Sequence, residues 1–342
     1  MTSRPFVSVV IPVRNEAAFI ADLIAAVLQQ DYPADRMEVI VADGQSTDGT
    51  REILASLQAE HPRLIVVENP GRIVSTGLNI AVARASGDII IRIDGHAVIA
   101  SNFVRENVSL LAAHPEAWSV GGPIRHVATT TVGKAVGVAM SHPLGVGARH
   151  RYSEVEGYVE SAQFPAIRRW VFDRIGMFDE RLVRNQDDEF NYRIRHAGGK
   201  IYVSPRVQYS YFVRERIGQL FKQYFQYGFW RVPVIQKHGR PTALRHMVPT
   251  LFYVACVVLV MAGLWWGKPL IAGILPLSYA TALILAGAAT VRRNDLRVSS
   301  CVPLAIATMH AGYALGLAYG IWARFFRAGA WDTQGKMTAI SR

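Results

Sequence analysis

The sequence predicts an α/β domain built on a largely parallel sheet, followed by a helical region embedded in a membrane. Three observations predict it. Strand-like and helix-like segments alternate over roughly the first hundred residues, charged residues almost vanish beyond about Arg245, and three long uncharged apolar runs follow in succession. Alternating strands and helices place helices on both faces of a parallel sheet. An apolar run of about 20 residues is long enough to cross a bilayer. The 342 residues suffice for one sizeable α/β domain and something smaller.

Phe6–Val13 reads as a buried strand, and Glu16–Gln30 as an amphipathic helix with Phe19, Ile20, Leu23, Ile24 and Val27 at helical spacing. Met37–Asp43 is the second strand. A helix is expected from about Asp48, with Ser46 or Thr47 as its cap. Leu64–Glu68 reads as a third strand, Val74–Ala85 as a helix and Asp88–Asp94 as a fourth strand. Ligands of such sheets bind at the carboxyl ends of the strands. Asp43 and Asp94 each end a predicted strand, so both are expected to point into one cleft. From Gly121 to about Gln163 periodicity is poor, and the expectation is a long loop region with short helices, serving as a lid or an acceptor surface. Regular structure resumes at Ala166, with helices near Trp170–Ile175 and Asp187–His196 and a strand at Lys200–Ser204.

Ile217–Gln236 is rich in aromatic residues and carries Lys222 and Arg231. It is expected to lie as a helix in the membrane interface, an ordinary domain helix being the alternative. Val248–Trp266, Pro269–Val291 and Val298–Ala323 are the three apolar runs. The expected organisation is an α/β domain over 1–215, an interfacial segment over 216–247, a membrane region over 248–323 and a tail over 324–342.

The net charge of +11 fits phosphate ligands, nucleic acid or anionic lipid. The basic residues form no dense run, and Arg231, Lys237, Arg240 and Arg245 gather just before the first apolar run, which favours a lipid surface over nucleic acid. Cys256 and Cys301 lie in apolar stretches and read as small buried hydrophobes. No secretory signal is evident, because the first apolar run leads directly into Arg14, Asn15 and Glu16, so the N-terminal domain is expected in the cytoplasm. The loop with Arg292, Arg293 and Arg297 should then also be cytoplasmic, and the turn at Gly267–Lys268 outside. A third full crossing would put Arg324 and Arg327 outside, against that trend, so the third run is either re-entrant or an exception.

The strand ends carry groups suited to a nucleotide. Pro12-Val13-Arg14-Asn15-Glu16 follows the first strand, and Asp43-Gly44-Gln45-Ser46-Thr47-Asp48-Gly49-Thr50 ends the second. Acidic and amide groups there can bond a ribose or a base edge, although ordinary capping and turn chemistry needs the same residues. Asn69-Pro70-Gly71-Arg72 follows the third strand, and Arg92-Ile93-Asp94-Gly95-His96 closes the fourth. A carboxylate ending an apolar strand, with another donor two residues on, can hold a divalent cation against a diphosphate. Asp94 and His96 have that spacing, and a simple strand-end turn is the alternative.

In this order the motifs resemble glycosyltransferase family 2, the inverting enzymes of GT-A fold, whose usual pattern is Pro-x-x-Asn-Glu, then Asp-Gly-Ser-x-Asp-Gly-Thr, then Asp-x-Asp. The resemblance covers roughly residues 6–215. Three further segments are similar to the succinoglycan-biosynthesis ExoA-like branch, which builds exopolysaccharide repeat units on a lipid carrier and has a C-terminal membrane anchor. They are His142-Pro143-Leu144-Gly145-Val146-Gly147, the stretch from Arg168 to Glu180, and Val183-Arg184-Asn185-Gln186-Asp187-Asp188-Glu189.

The resemblance implies transfer of a sugar, glucose from UDP-glucose by analogy, from a nucleotide-sugar donor to a lipid-linked saccharide at the bacterial inner membrane. A divalent cation, Mn2+ or Mg2+, and other polysaccharide-assembly proteins go with that activity. Asp43 would contact the nucleobase, with Pro12 and Glu16 shaping its pocket and Arg14, Arg72 and Asp94 completing the donor site. Asp94 and His96 would approach the metal and diphosphate. Asp187 would be the general base, with Asp188, Glu189 and Trp230 in reserve for base or acceptor roles.

Three departures matter. Asp94-Gly95-His96 replaces an oxygen ligand by a nitrogen, and Gln186-Asp187 replaces the family's Glu-Asp pair. Gln226-Tyr227-Gly228-Phe229-Trp230 has Phe229 where processive members carry Arg, which favours addition of one sugar over polymerisation. A transferase forming a polyprenyl-phosphate sugar and a processive synthase are the enzymatic alternatives. A dinucleotide oxidoreductase is disfavoured, because Pro12-Val13-Arg14-Asn15 stands where its glycine motif belongs and Gly145-Val146-Gly147-Ala148-Arg149-His150 lacks the third glycine. No Walker A sequence supports a nucleotide-driven transporter, and a membrane scaffold would give no reason for the placement of Asp43, Asp94 and Asp187.

Overall fold

A computed structural model describes residues 4–146 and 154–326. Gly147, Ala148, Arg149, His150, Arg327 and the tail beyond it lie outside the described residues. The chain divides into two compact units. The first comprises residues up to 125 together with 154–211, and the second 126–146 together with 212–326.

In chain order the strands are β1 (Val7–Val13), β2 (Met37–Asp43), β3 (Leu64–Glu68), β4 (Ile89–Arg92), β5 (Val98–Ile99), β6 (Ala117–Gly122), β7 (Arg125–Val127), β8 (Gly157–Val159), β9 (Gln163–Arg168), β10 (Lys200–Val203) and β11 (Tyr209–Phe212). The helices are α1 (Ile20–Leu28), α2 (Thr50–Glu60), α3 (Val74–Arg84), α4 (Phe103–Ala113), α5 (Thr131–Ser141), α6 (Trp170–Ile175), α7 (Gln186–His196), α8 (Ile217–Phe229), α9 (Arg231–His238), α10 (Val248–Trp265), α11 (Pro269–Thr290) and α12 (Leu296–Phe326).

The first unit holds an eight-stranded, mostly parallel sheet in the order β3-β2-β1-β4-β9-β6-β10-β8. β1 pairs in parallel with β2 and β4, and β2 with β3, whereas β9 runs antiparallel between β4 and β6. β1 shows why. Its residues are all buried, Val7, Val9 and Ile11 packing with Ile20, Ile24 and Leu54 on one face, while Val10 packs with Leu78, Val82 and Phe172 on the other. A strand buried on both faces reads as a continuous apolar run, as the sequence does here.

Glu38 is a buried polar point in this sheet. It accepts hydrogen bonds from the Ser8 hydroxyl at 2.5 Å and from the Ser86 N–H and hydroxyl at 2.7 and 2.8 Å. Burial alone would raise its carboxyl, but these bonds outweigh burial and hold it below its ordinary range. The turn that launches β4 is thereby fixed to the neighbouring strands.

β4 is shorter than expected. It ends at Arg92, and Asp94 lies in the turn beyond, its carbonyl accepting from the Ala97 N–H at 3.0 Å. The expected cap of α2 also moves: the N-cap is Gly49, at φ 97°, a conformation that suits glycine.

The stretch from Gly121 to Gln163, expected as a long loop region with short helices, carries more regular structure among the described residues. Its middle is the helix α5, capped by the Thr130 hydroxyl, which accepts from the Gly133 N–H at 3.0 Å. Gly133, Ala135, Val136, Gly137, Ala139 and Met140 are all buried, and because most of them are glycine or alanine the covered face contrasts only weakly with the exposed Thr131 and Lys134. The expected single interfacial helix is two, because Pro233 has no N–H to bond the Phe229 carbonyl and α8 ends there.

The three apolar runs are helices long and apolar enough to cross a membrane. α12 is one continuous helix from Leu296 to Phe326. Its burial differs from that of the other two: about half of its apolar stretch is covered, against little of α10 and α11. Gly312, Gly316 and Gly320 form a small-residue seam at four-residue spacing against Phe221, Phe225 and Phe229 of α8. A Cβ on Gly316 would sit 2.0 Å from the Phe225 carbonyl oxygen, and one on Gly228 2.1 Å from that of Tyr313. Midway along α12, His310 Nε2 donates to the Gly145 carbonyl at 3.2 Å while Nδ1 accepts from the Tyr279 hydroxyl at 2.8 Å. The His142-Pro143-Leu144-Gly145 turn is thus held by the helical unit.

The α8–α12 seam makes a direct prediction. Gly316→Leu forces a side chain into the Phe225 backbone and is expected to cost about 1–3 kcal/mol or more. Thermal melting of the detergent-solubilised protein should show a clear drop, whereas Gly218→Ala, where a Cβ meets open space, should melt like the parent. Equal melting temperatures for Gly316→Leu and the parent would contradict the seam.

Candidate active site

The site is built at the carboxyl ends of β1, β2 and β4. Asn15 and Gln45 both take left-handed backbone conformations, φ 57°, immediately past the ends of β1 and β2. That lets the two loops bond each other. The Asn15 N–H donates to the Ser46 hydroxyl and the Thr47 N–H to the Asn15 side-chain carbonyl, each at 2.9 Å. The Glu16 N–H donates to the Thr50 hydroxyl at 2.9 Å, and the Ala17 N–H to Asp48 at 3.1 Å. Ser46 and Thr47 therefore join the loops rather than cap α2. Asp48 also accepts from the Thr50 hydroxyl at 2.5 Å, and that bond above all holds its carboxyl below the usual range. Asp48 is spent on structure, which leaves Asp43 as the acid of this motif that faces the strand ends.

Asp43 is 4% exposed. It accepts from the Ser46 N–H at 3.1 Å and lies 3.7 Å from Arg51 Nε. Its carbonyl accepts from the Asn69 N–H at 2.8 Å, which ties the loop after β3 to the end of β2. In that loop Arg72 sits at φ 60° and its Nε donates to the Gln45 side chain. Pro12, the penultimate residue of β1, is in register with Ala42 and borders the same loop, with Gly77 packed close to both Pro12 and Asn69. Arg14 lies at the β1 end, its Cβ close against Gly44. β2 and β4 flank β1, so Asp43, at the end of β2, and Asp94, in the turn after β4, lie at the same carboxyl edge of the sheet.

The β4 end carries the second cluster. Arg92 is 5% exposed, its Nη2 donates to Asp94 at 2.7 Å, and its Nη1 lies 3.6 Å from an Asp187 oxygen. Burial by itself would lower the guanidinium's pKa; the charges of Asp94 and Asp187 outweigh it and leave the group raised. His96 Nδ1 meets Glu16 at 2.9 Å, which joins the first motif to the third. Asp187 is the second residue of α7, whose N-cap Asn185 takes a left-handed conformation at φ 63°. One Asp187 oxygen accepts from the Asp188 N–H at 2.9 Å, and the side chain is 41% exposed.

The reserve residues are placed differently. Glu189 is fully buried and paired with Arg193 Nε at 2.9 and 3.1 Å. Arg193 in turn donates to the carbonyls of Ile175, Gly176 and Met177, so this pair ties α7 to the loop after α6. Asp188 is half-buried beside Asp187. Trp230 belongs to the second unit, where it is fully buried with its ring 5.6 Å from that of Phe229. Sequence reasoning missed Arg92. The signal was there, in a cation within the run Ile89-Ile90-Ile91-Arg92-Ile93. A charge in a strand buried on both faces must be paired.

The model for the family described as glycosyl transferase family 2 matches residues 8–176. The chain is 36% identical to the succinoglycan biosynthesis protein ExoA of Rhizobium meliloti (strain 1021) over 249 residues, 70% of this chain and 73% of that protein. It is 27% identical to a dolichyl N-acetyl-alpha-D-glucosaminyl phosphate 3-beta-D-2,3-diacetamido-2,3-dideoxy-beta-D-glucuronosyltransferase of Methanococcus voltae, over 68% of this chain and 74% of that one. Among solved structures, the mannosyltransferase PcManGT from Pyrobaculum calidifontis, in complex with GDP-Man and Mn2+, superposes with a TM-score of 0.58 at 21% identity, over 94% of this chain and 89% of that one. That likeness establishes the GT-A fold. The sheet, the interlocked loops at its carboxyl edge and the extent of identity to ExoA lead to one conclusion: the chain belongs to glycosyl transferase family 2 and is a glycosyltransferase.

Proposed function

We propose that this glycosyltransferase moves a hexose, with inversion, from a nucleotide sugar to a lipid-linked saccharide during assembly of an exopolysaccharide or another surface glycan. UDP-glucose is the favoured donor. The observation that carries the reading is the meeting of Asp94 and Asp187 at Arg92, which puts a carboxylate at the diphosphate edge of the sheet and a carboxylate at a helix mouth within reach of one cation. The names of two relatives support the glycan and lipid side: ExoA is a succinoglycan biosynthesis protein, and the Methanococcus voltae enzyme is named for a dolichyl-phosphate-linked sugar.

In the reaction the acceptor hydroxyl attacks the anomeric carbon. Asp187, exposed at the α7 mouth, takes its proton, and the bond from the anomeric carbon to the diphosphate breaks, the nucleoside diphosphate keeping the electron pair. Asp43, Pro12 and Glu16 hold the nucleotide, with Arg14 and Arg72 beside the phosphates. Asp94 and His96 fit a divalent cation. A carboxylate bonded to one ring nitrogen is how proteins orient a histidine ligand, and Glu16 stands in that position on His96 Nδ1. Among the described residues no three acidic, histidine or cysteine side chains converge, so two protein ligands would be completed by diphosphate oxygens and water. Such a cation, when bound, neutralises the charge that builds on the leaving diphosphate.

We further propose an inner-membrane location with the α/β unit in the cytoplasm. The lipid-facing α10–α11 hairpin supports it, because its exposed residues are large and apolar, among them Leu251, Val257, Met261, Leu270 and Ile284. The C-terminal half of α12 lies along α8, and Gly320 reaches Val232 of α9. Arg324 therefore lies at the end of α12 that packs towards α9.

Three outcomes are expected. After carbonate extraction of membranes the protein should stay in the pellet; release as intact soluble protein contradicts the membrane reading. Membranes containing the protein, given UDP-glucose, GDP-mannose and other labelled donors, should form a labelled lipid-extractable product with UDP-glucose. That transfer should fall in excess chelator and return better with Mn2+ than with Mg2+, as suits a nitrogen ligand. Undiminished transfer in chelator removes the metal assignment. Finally, Asp187→Asn should keep nucleotide-dependent thermal stabilisation and lose about 10²–10⁴-fold in transfer rate. Asp188→Asn should be much milder, and an Asp187→Asn protein transferring at the parent rate would show that the base lies elsewhere.

A further inference from the structure

β4 presents an anomaly that neither folding nor nucleotide binding explains. Its last residue, Arg92, is 5% exposed in a strand otherwise made of isoleucine. The guanidinium is always charged and carries a planar fork of donors. Only Nη2 is hydrogen-bonded, to Asp94 at 2.7 Å. Nε and Nη1 are buried without a hydrogen-bond partner. A cation kept for stability alone would have its donors satisfied, because each buried unpaired donor destabilises the fold. Nη1 instead lies 3.6 Å from an Asp187 oxygen, close enough to attract the carboxylate and too far to occupy its lone pairs.

That arrangement suits a base. An oxygen that must accept a proton from an acceptor hydroxyl cannot be fully engaged by donors of the protein, yet the carboxylate must be held in place. The other Asp187 oxygen accepts from the Asp188 N–H at 2.9 Å, so the carboxylate is fixed at one oxygen and drawn electrostatically at the other.

We propose that Arg92 is a positioning residue for sugar transfer: anchored by Asp94, its buried guanidinium holds the Asp187 carboxylate at the mouth of α7 while leaving it able to take the acceptor's proton. This rests on the reading of Asp187 as the base. Arg92 touches neither donor nor acceptor in this scheme, and it acts through Asp187. It also makes the donor-side carboxylate and the base share one counter-charge, so the geometry on one side is transmitted to the other.

The experiment compares the parent, Arg92→Met, Arg92→Lys, Asp187→Asn and the double variant Arg92→Met/Asp187→Asn. Each is assayed in membranes with labelled UDP-glucose and GDP-mannose, and each is melted with and without UDP and Mn2+. Arg92→Met is expected to lower kcat by about tenfold to a hundredfold, with the donor KM changed by less than about threefold. Arg92→Lys, which keeps the charge, should recover several-fold over Arg92→Met. In the Asp187→Asn background, removal of Arg92 should cost less than about twofold more, because residues acting through one another are not additive. The proposal is overturned if the two losses multiply, if the Arg92→Met loss falls in KM, or if lysine recovers nothing. Should Arg92→Met fail to fold, Arg92→Lys in the two backgrounds carries the same additivity test. A parent that transfers no sugar from any donor overturns the transfer reading itself, and a parent and Arg92→Met that transfer equally overturn only the role of Arg92.

Discussion

A positive charge buried at the centre of a sheet cannot be left without negative charge beside it. In this chain the charge is Arg92, and its two carboxylates come from segments far apart in sequence, one in the turn after β4 and one at the start of α7. Much of the local structure serves that constraint. The turn into β4 is pinned by Glu38 through Ser8 and Ser86. α7 is fixed by the Glu189–Arg193 pair and its bonds to the loop after α6. With strand and helix both held, Asp94 and Asp187 reach one guanidinium, and the chemistry follows from what surrounds them.

The sequence was legible wherever a single period governed a segment. β2 and β3 match their expected bounds, because their apolar runs are bounded by turn residues and buried by neighbouring strands. Legibility fell where the covered face was made of small residues. The buried side of α5 is mostly glycine and alanine, so its stripe is weak, and the stretch read as a loop region with short helices. The seam of Gly312, Gly316 and Gly320 was visible as a four-residue spacing, but the surrounding hydropathy read only as a membrane segment. At the site, the motif residues lie where the loops after β1, β2 and β4 meet. What the sequence could not show is how Asp48 and Glu189 are used. Both are acids beside a motif, and only tertiary partners distinguish them from Asp43 and Asp187. Arg92 was the reverse case, an anomaly in plain view whose partners lay 2 and 95 residues away.

The helical unit uses glycine to turn an apolar run into a core. Where α12 meets α8, backbone approaches backbone, and large side chains are displaced to the flanks. α10 and α11 lack such a seam along most of their length and keep their bulky side chains outward. Apolar content is therefore divided between covered and exposed helix faces by the placement of small residues, and hydropathy alone does not separate them.

The position of β9 has a consequence for how the chain is assembled. Among the described residues it is the only strand that links the β3-β2-β1-β4 half of the sheet to the β6-β10-β8 half, and it is antiparallel to both of its neighbours. β4 is complete at Arg92, but its outer partner is not finished until Arg168. At about 5–20 residues per second on the ribosome, an apolar edge made of Ile89, Ile90 and Ile91 stays open for several seconds. β6 emerges during that interval and has no seat until β9 arrives. β9 joins the two halves as a keystone joins an arch, and β10, made later still, then joins β8 to β6.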